Sequence, residues 1–233
     1  MPLSRGRRWT AIAAAAVAAG LALYVSHSSL FHLRRLEVQG TSHLTRREVV
    51  ELSGLVAQTN VLWLDTRSVE RRLESDPWVA HASVSRVFPR TVRIEVIERA
   101  PVAVVGGYGG LRLIASDGTS LGVVSTSPHL PLIVVPPPWV ADRGMPGLGA
   151  VTEAVAGLDP KLRSRVKTVV VGMDGHLVLH MTNGVGVEYG DVGQIAVKSR
   201  LIRSILRWAS VHGRLLQTIN VSAPQAPTAS FAS

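Results

Sequence analysis

An α+β chain is what this sequence predicts: an N-terminal single transmembrane helix, a small domain ordered strand-helix-helix-strand-strand, and a β-rich domain of hairpins with a late helix and closing strand. Three observations lead there. An uncharged run from Trp9 to Val25 follows Arg5, Arg7 and Arg8. Between Leu33 and Arg99, two capped helical segments sit among strands of period two. After Pro101, Asp117-Gly118, Asp174-Gly175 and Asn183-Gly184 each separate apolar or alternating runs, the strongest short-range hairpin signal.

The uncharged N-terminal run extends through Ser26, His27, Ser28, Ser29, Leu30 and Phe31 to Arg34 and Arg35. Counted with that extension it reaches the ~20 residues a bilayer requires, although its alanines make it weakly apolar. Arginines ahead of it favour a cytoplasmic N-terminus with the bulk of the chain exported, while Arg34 and Arg35 soften the bias. A cleaved signal peptide is the alternative; Ser26-His27-Ser28 is the available cleavage site, but no A-x-A follows the run. Later apolar stretches are broken by Gly and Pro within about ten residues, so a second span is not expected.

In the first exported domain, Leu36 and Val38 alternate with Glu37 and Gln39 and stop at Gly40, a short strand. Thr45 with Glu48 makes a capping box for a helix carrying Val49, Val50 and Leu52, and Gly54 ends it. Asp65 caps a second helix with Val69 and Leu73 on one face until Asp76-Pro77. Val79 to Val87 and Thr91 to Glu98 alternate as strands about a Pro89-Arg90 turn. Downstream, Leu111 to Ala115 pairs with Ser120 to Val124, and Val166 to Val171 with Leu177 to Met181, followed by Val185 to Tyr189. Pro136-Pro137-Pro138 reads as a rigid loop. A short helix is expected near Leu148 to Leu158 and a long one from Asp191 to about Val211. In the long helix Ile195, Ile202, Ile205, Leu206 and Ala209 form the apolar stripe, with Lys198, Arg200, Arg203 and Arg207 on the remainder. Gln217 to Ser222 is the final strand, and Ala223 to Ser233 a tail.

Composition narrows the function. With 233 residues and no cysteine, the chain holds one or two domains and lacks any disulfide, thiolate metal site or thiol nucleophile. Its 46% hydrophobic content excludes disorder driven by charge. The net charge of +9 remains +6 without Arg5, Arg7 and Arg8, which suits an anionic lipid surface, an acidic partner, or solubility alone. Charged residues at 18% and aromatics at 5% are too few for a surface that combines phosphate contacts with stacking, so no nucleic acid is expected.

The run Pro77-Trp78-Val79-Ala80-His81-Ala82-Ser83-Val84-Ser85-Arg86-Val87-Phe88-Pro89, continued by the alternating strand ending Glu98-Arg99-Ala100-Pro101, resembles the POTRA domain of the bacterial cell-division family FtsQ/DivIB. Val38-Gln39-Gly40 and Asn60-Val61-Leu62-Trp63-Leu64-Asp65 are similar to that family's strand end and inter-helix stretch. The resemblance covers residues 33 to 105 in motif and continues beyond as architecture. It implies a division into a cytoplasmic tail (1–8), an anchor (9–32), a POTRA domain (33–100), a β domain (101–222) and a C-terminal tail (223–233).

No constellation supports catalysis. Gly118-Thr119-Ser120-Leu121-Gly122 fits G-x-S-x-G, but a nucleophile elbow links strand to helix and this segment reads as hairpin turn and strand. His176 and His180 on a strand would lie ~13 Å apart, too far for one metal. Gly106-Gly107-Tyr108-Gly109-Gly110 lacks the helix and Lys-Ser/Thr pair of a phosphate cradle and reads as a hairpin connection. Trp78 reads as a packing residue. Neither a cofactor nor a small-molecule substrate is expected, and the chain is expected not to be an enzyme.

What remains is binding by strand addition to a sheet edge. The closing strand is the expected edge: Thr218, Ile219, Asn220, Val221 and Ser222, with Phe231 in the tail as apolar anchor. The alternative is that Gln217 to Ser222 merely closes the sheet. In the FtsQ/DivIB family this strand and the segment after it bind the small division protein FtsB in a complex that also holds FtsL. The resemblance therefore implies a non-enzymatic scaffold of the divisome, with FtsB-like, FtsL-like and other divisome partners, anchored once in the plasma membrane at the septum and coordinating septal wall synthesis. Here Asn220 stands where the family usually has an acid, Ser222 where it has arginine, and Ala223 at an often aromatic position. The alternative function is a POTRA-bearing export or assembly factor, although no barrel-forming length remains.

Overall fold

The computed structural model describes residues 5–107, 110–125, 129–135 and 147–232. The expected Pro136-Pro137-Pro138 loop lies outside them, as do Tyr108 and Gly109 of the glycine-rich connection. The chain forms two units, Met1–Glu98 and Arg99–Ser233.

The first unit opens with helix α1, Arg5–Ser26. Among the described residues no helix is long and apolar enough to cross a membrane. The segment expected as one span over 9–32 is also not one helix. α1 stops at Ser26, and a 3-10 turn follows at Ser29–Phe31. The Ser26 hydroxyl donates to the Leu23 carbonyl at 2.8 Å and the Ser28 hydroxyl to the Val25 carbonyl at 2.6 Å, occupying acceptors at the helix end.

The remainder of this unit is β1 (Arg35–Gln39), α2 (Arg46–Ser53), α3 (Thr66–Glu74), β2 (Val79–Val87) and β3 (Thr91–Glu98). The capping box holds: the Glu48 amide donates to the Thr45 hydroxyl at 3.2 Å and the Thr45 amide to the Glu48 carboxylate at 2.7 Å, while Gly54 closes the helix at φ +65°. Asp65 accepts from the Ser68 amide at 3.2 Å and so starts α3. The sheet order is β1-β3-β2, with β1 parallel and β2 antiparallel to the central β3. Alternation along β2 and β3 turns Val79, Ala82, Val84, Val92, Ile94 and Val96 inward against Val49, Val61, Val69 and Leu73. Gly40 turns the chain out of β1 at φ +83°, where a Cβ would clash with the Val96 carbonyl oxygen. The loop that follows is held by Glu98, whose carboxylate accepts from the Ser42 hydroxyl (2.6 Å) and from the His43 (2.8 Å) and Leu44 (2.9 Å) amides. Burial acts to raise the Glu98 carboxyl, but these hydrogen bonds outweigh it and bring its pKa down to about 2.

Among its described residues the second unit has one sheet of nine strands: β4 (Pro101–Gly107), β5 (Gly110–Ala115), β6 (Ser120–Val124), β7 (Leu132–Val134), β8 (Val166–Val171), β9 (Leu177–Met181), β10 (Gly186–Gly190), β11 (Leu216–Asn220) and β12 (Thr228–Phe231). Their order is β12-β11-β10-β9-β8-β7-β4-β5-β6. The three Asp-Gly and Asn-Gly turns form as expected, with Gly118, Gly175 and Gly184 all at positive φ. Helices α4 (Leu148–Ala156), α5 (Pro160–Arg163) and α6 (Ile195–Val211) supply Val151, Val155, Leu162 and Ile202 to the core over the sheet.

Two expectations change for the long helix. α6 begins at Ile195 rather than Asp191, because the Asp191 carboxylate is engaged by the Gly193 amide at 3.0 Å and by Lys198 at 2.6 Å, with Gln194 left-handed at φ 53° between them. Lys198, expected outside the apolar stripe with the arginines, is instead 1% exposed. Its ammonium also donates to the Asp191 carbonyl at 2.8 Å and lies 4.8 Å from the Tyr189 ring centroid. Hydrogen bonding from Lys198 holds the Asp191 carboxyl below its ordinary range, and burial pushes the Tyr189 phenol up to about 12.

Candidate functional site: the open edge of the large sheet

A strand can accept a partner strand only where its backbone groups face outward unpaired. The closing segment expected to do this does not have that freedom. β11 is hydrogen-bonded on both sides, parallel to β10 and antiparallel to β12. The residues expected as a tail turn back after Ala223–Ala226 and supply β12, so the edge is Thr228–Phe231. Prolines at 224 and 227 delimit the turn and leave the strand itself free of them.

The residues expected at the site divide accordingly. Ile219 and Val221 are fully buried in the core, and the Val221 amide donates to the Glu188 carbonyl at 2.9 Å. Thr218 and Asn220 lie on the opposite face. The Thr218 hydroxyl shares a 2.5 Å hydrogen bond with the Ser230 hydroxyl, tying β11 to the edge strand. The Asn220 side chain donates to the Glu188 carboxylate and accepts from the Ser222 amide (3.0 Å) and hydroxyl (2.7 Å). Of the six, Phe231 alone stands on the edge strand.

Backbone alternation settles which groups face out. The Ala232 amide donates inward to the Leu215 carbonyl at 2.8 Å, so the amides and carbonyls of Phe231 and Ala229 point away from β11. Beside them lies a side-chain ledge. The Phe231 ring is 5.9 Å from that of Trp208 on α6, Trp208 stacks on His212 at 4.4 Å, and the Arg214 guanidinium sits 5.0 Å from the Phe231 centroid. Trp208 and His212 escaped the sequence reading; their i,i+4 spacing on the long helix was the available signal. The arrangement offers two outward backbone pairs flanked by an aromatic and cationic shelf.

The residues weighed for chemistry fall elsewhere. Ser120 begins β6 in a strand-to-strand hairpin, without the helix a nucleophile elbow needs. His176 sits in the β8–β9 turn, 3.2 Å from the Asp174 carboxylate, and His180 is exposed on β9. Trp78 stacks on His43 at 3.5 Å and is half-buried. A cleft of about 290 Å³ between α5 and α6 is rimmed by Lys161, Arg165, Arg203 and Arg207, with Arg203 paired to Asp159 at 2.7 Å. In the smaller sheet, β2 proves to be an edge, and its outer side is unpaired by any strand among the described residues.

Residues 31–99 match the family model described as POTRA domain, FtsQ-type. Similar curated proteins include the cell division protein FtsQ of Mycobacterium leprae, 30% identical over 209 residues that take in 90% of this chain and 58% of that protein. The cell division protein FtsQ of Mycobacteroides abscessus is 28% identical, over 92% of this chain and 66% of its own length. That of Streptomyces bingchenggensis is 29% identical, over 97% and 86%. The chain thus spans 58% and 66% of the length of the first two. A solved extracytoplasmic domain of the cell division protein DivIB from Geobacillus stearothermophilus is similar at a TM-score of 0.38 and 16% identity, over 50% of this chain and 96% of that one. With an FtsQ-type POTRA domain at residues 31–99 and likeness to FtsQ sequences through both of its units, the chain resembles the FtsQ/DivIB family of bacterial cell division proteins.

Proposed function

We propose that this chain is a non-enzymatic scaffold of the bacterial divisome, held in the plasma membrane by one N-terminal span, with the bulk of the chain outside the cytoplasm at the septum. Its role is to bind FtsB-like and FtsL-like division proteins by strand addition and so to coordinate septal wall synthesis. The observation that carries the reading is the open strand Thr228–Phe231, with outward backbone groups at Ala229 and Phe231, in a chain similar to FtsQ. The uncharged run Trp9–Val25 behind three arginines supports the anchor and its orientation. Of the residues expected as contacts, Phe231 touches the partner. Thr218, through Ser230, and Asn220 and Ser222, through their mutual hydrogen bonds, brace the edge, while Ile219 and Val221 act from the core.

The test is binding of the full chain to the organism's own full-length FtsB-like protein, the two reconstituted in the same vesicles. Ala229→Pro removes an outward amide while leaving the β11 ladder intact. Binding should fall at least about tenfold with the melting temperature unchanged, as loss of outward ladder bonds requires. Undiminished binding by Ala229→Pro would exclude strand addition at this edge.

A further inference from the structure

The end of α1 is fastened to the POTRA unit from two sides. The Asn60 side-chain amide donates to the Ser26 carbonyl at 2.8 Å, and the His27 and Trp63 rings lie 5.6 Å apart. The Val61 amide donates to the Phe31 carbonyl at 2.8 Å and the Leu33 amide to the Thr59 carbonyl at 2.9 Å. From the β2–β3 turn, the Arg90 guanidinium donates to the Leu30 carbonyl at 2.8 Å, and the Arg34 amide donates to the Arg90 carbonyl at 2.9 Å. The Arg86 guanidinium joins the two sides by donating to the Leu62 carbonyl at 2.7 Å. Three segments distant in sequence are thereby gathered around one helix terminus.

Each of the three carries a large apolar side chain on its surface. Leu30 is 52% exposed, Trp63 59% and Phe88 55%. Exposed apolar residues scattered singly need no account, but these lie on the three segments that meet just beyond the end of one helix. Arg34, Arg35 and Arg86 stand among them, all exposed. An indole beside guanidinium groups suits a bilayer's headgroup layer, where the ring's apolar body faces acyl chains and Arg reaches phosphate in bidentate fashion.

We propose that Leu30, Trp63 and Phe88, with Arg34, Arg35 and Arg86, form a collar by which the POTRA unit rests in the headgroup layer of the bilayer that α1 enters. Lipid is the occupant, since whatever bilayer holds α1 meets the residues around its end, and phosphodiesters complement the guanidinium groups. The inference rests on the proposed anchor. The collar restricts how the POTRA unit can tilt about its anchor.

The experiment reconstitutes the full chain in vesicles whose lipids carry bromine either near the headgroup or near the acyl terminus. Alkaline extraction of the same vesicles reports the anchor independently. The emission that wild type has and Trp63→Phe lacks should fall about twofold or more with shallow bromine, and much less with deep bromine, as an interfacial indole requires. Phe88→Trp, made in the Trp63→Phe background, should regain shallow quenching. A chain that resists extraction while neither probe is quenched overturns the collar and leaves the anchor standing. Protection of Trp63 by an added partner protein, without quenching by lipid, overturns it in favour of a protein contact. A chain released by alkali overturns the anchor, and the collar with it.

Discussion

Replacing Glu98 by Gln tests how the POTRA unit holds the loop after β1. The ionised carboxylate accepts three donors at 2.6, 2.8 and 2.9 Å. Its pKa falls from the ordinary 4.5 to about 2 on folding. At about 1.4 kcal/mol per pH unit this bounds the stabilisation at about 3 kcal/mol, and screening by water at a partly open site brings it to about 1–2 kcal/mol. Because the folded carboxyl binds its proton more weakly than the unfolded one, the full stabilisation is present above about pH 4.5 and is lost as pH falls toward 2. Unfolding of the full chain in urea, read peptide by peptide through hydrogen–deuterium exchange, follows β3 separately from the nine-stranded sheet. At pH 7 Glu98→Gln should be destabilised by about 1–2 kcal/mol, equivalent to roughly 5–10 °C in a unit of this size. By pH 3 the gap between wild type and variant should have narrowed markedly. A gap that stays constant from pH 7 to 3 would refute the assignment of the stabilisation to the ionised carboxylate.

Other perturbations follow from the same geometry. Gly40→Ala combines a left-handed φ with a Cβ against the Val96 carbonyl, and should cost about 2–4 kcal/mol, measured by the urea midpoint of the POTRA peptides. Asp191→Ala leaves the Lys198 ammonium buried without its carboxylate and should cost about 2–4 kcal/mol in the second unit, whereas Lys198→Met should be within about 1 kcal/mol of wild type by thermal unfolding. The Ala229→Pro binding assay completes the set.

The POTRA unit was legible because its signals are local. A capping box, a left-handed glycine, an Asp-Pro stop and two alternating strands each act within a few residues, and all agree. The large sheet was legible only at its hairpins. β7 is three apolar residues without alternation, held by parallel neighbours distant in sequence, and β4 runs as continuous apolar residues buried on both faces. β12, Thr-Ala-Ser-Phe between prolines and the chain end, has little strand character of its own and exists by pairing with β11. Missing it moved the expected edge inward by one strand. That is why Ile219 and Val221, apolar residues on an expected outer strand, turned out to be core. Lys198 was misplaced because helical periodicity assigns a charged residue to water, and nothing local announces a buried acceptor at Asp191.

The brevity of β12 sets the terms on which it can be used. Two outward residues offer at most two amides and two carbonyls, and at about 1 kcal/mol net for each hydrogen bond a bare added strand gains about 4 kcal/mol, a dissociation constant near 1 mM. A freely diffusing peptide would scarcely occupy such an edge. On the proposed anchoring, a segment tethered in the same bilayer, and so confined to a local concentration of that order, would occupy it readily and still let go when the tether is lost. A four-residue edge thus favours neighbours over strangers, and discourages the chain from pairing with copies of itself.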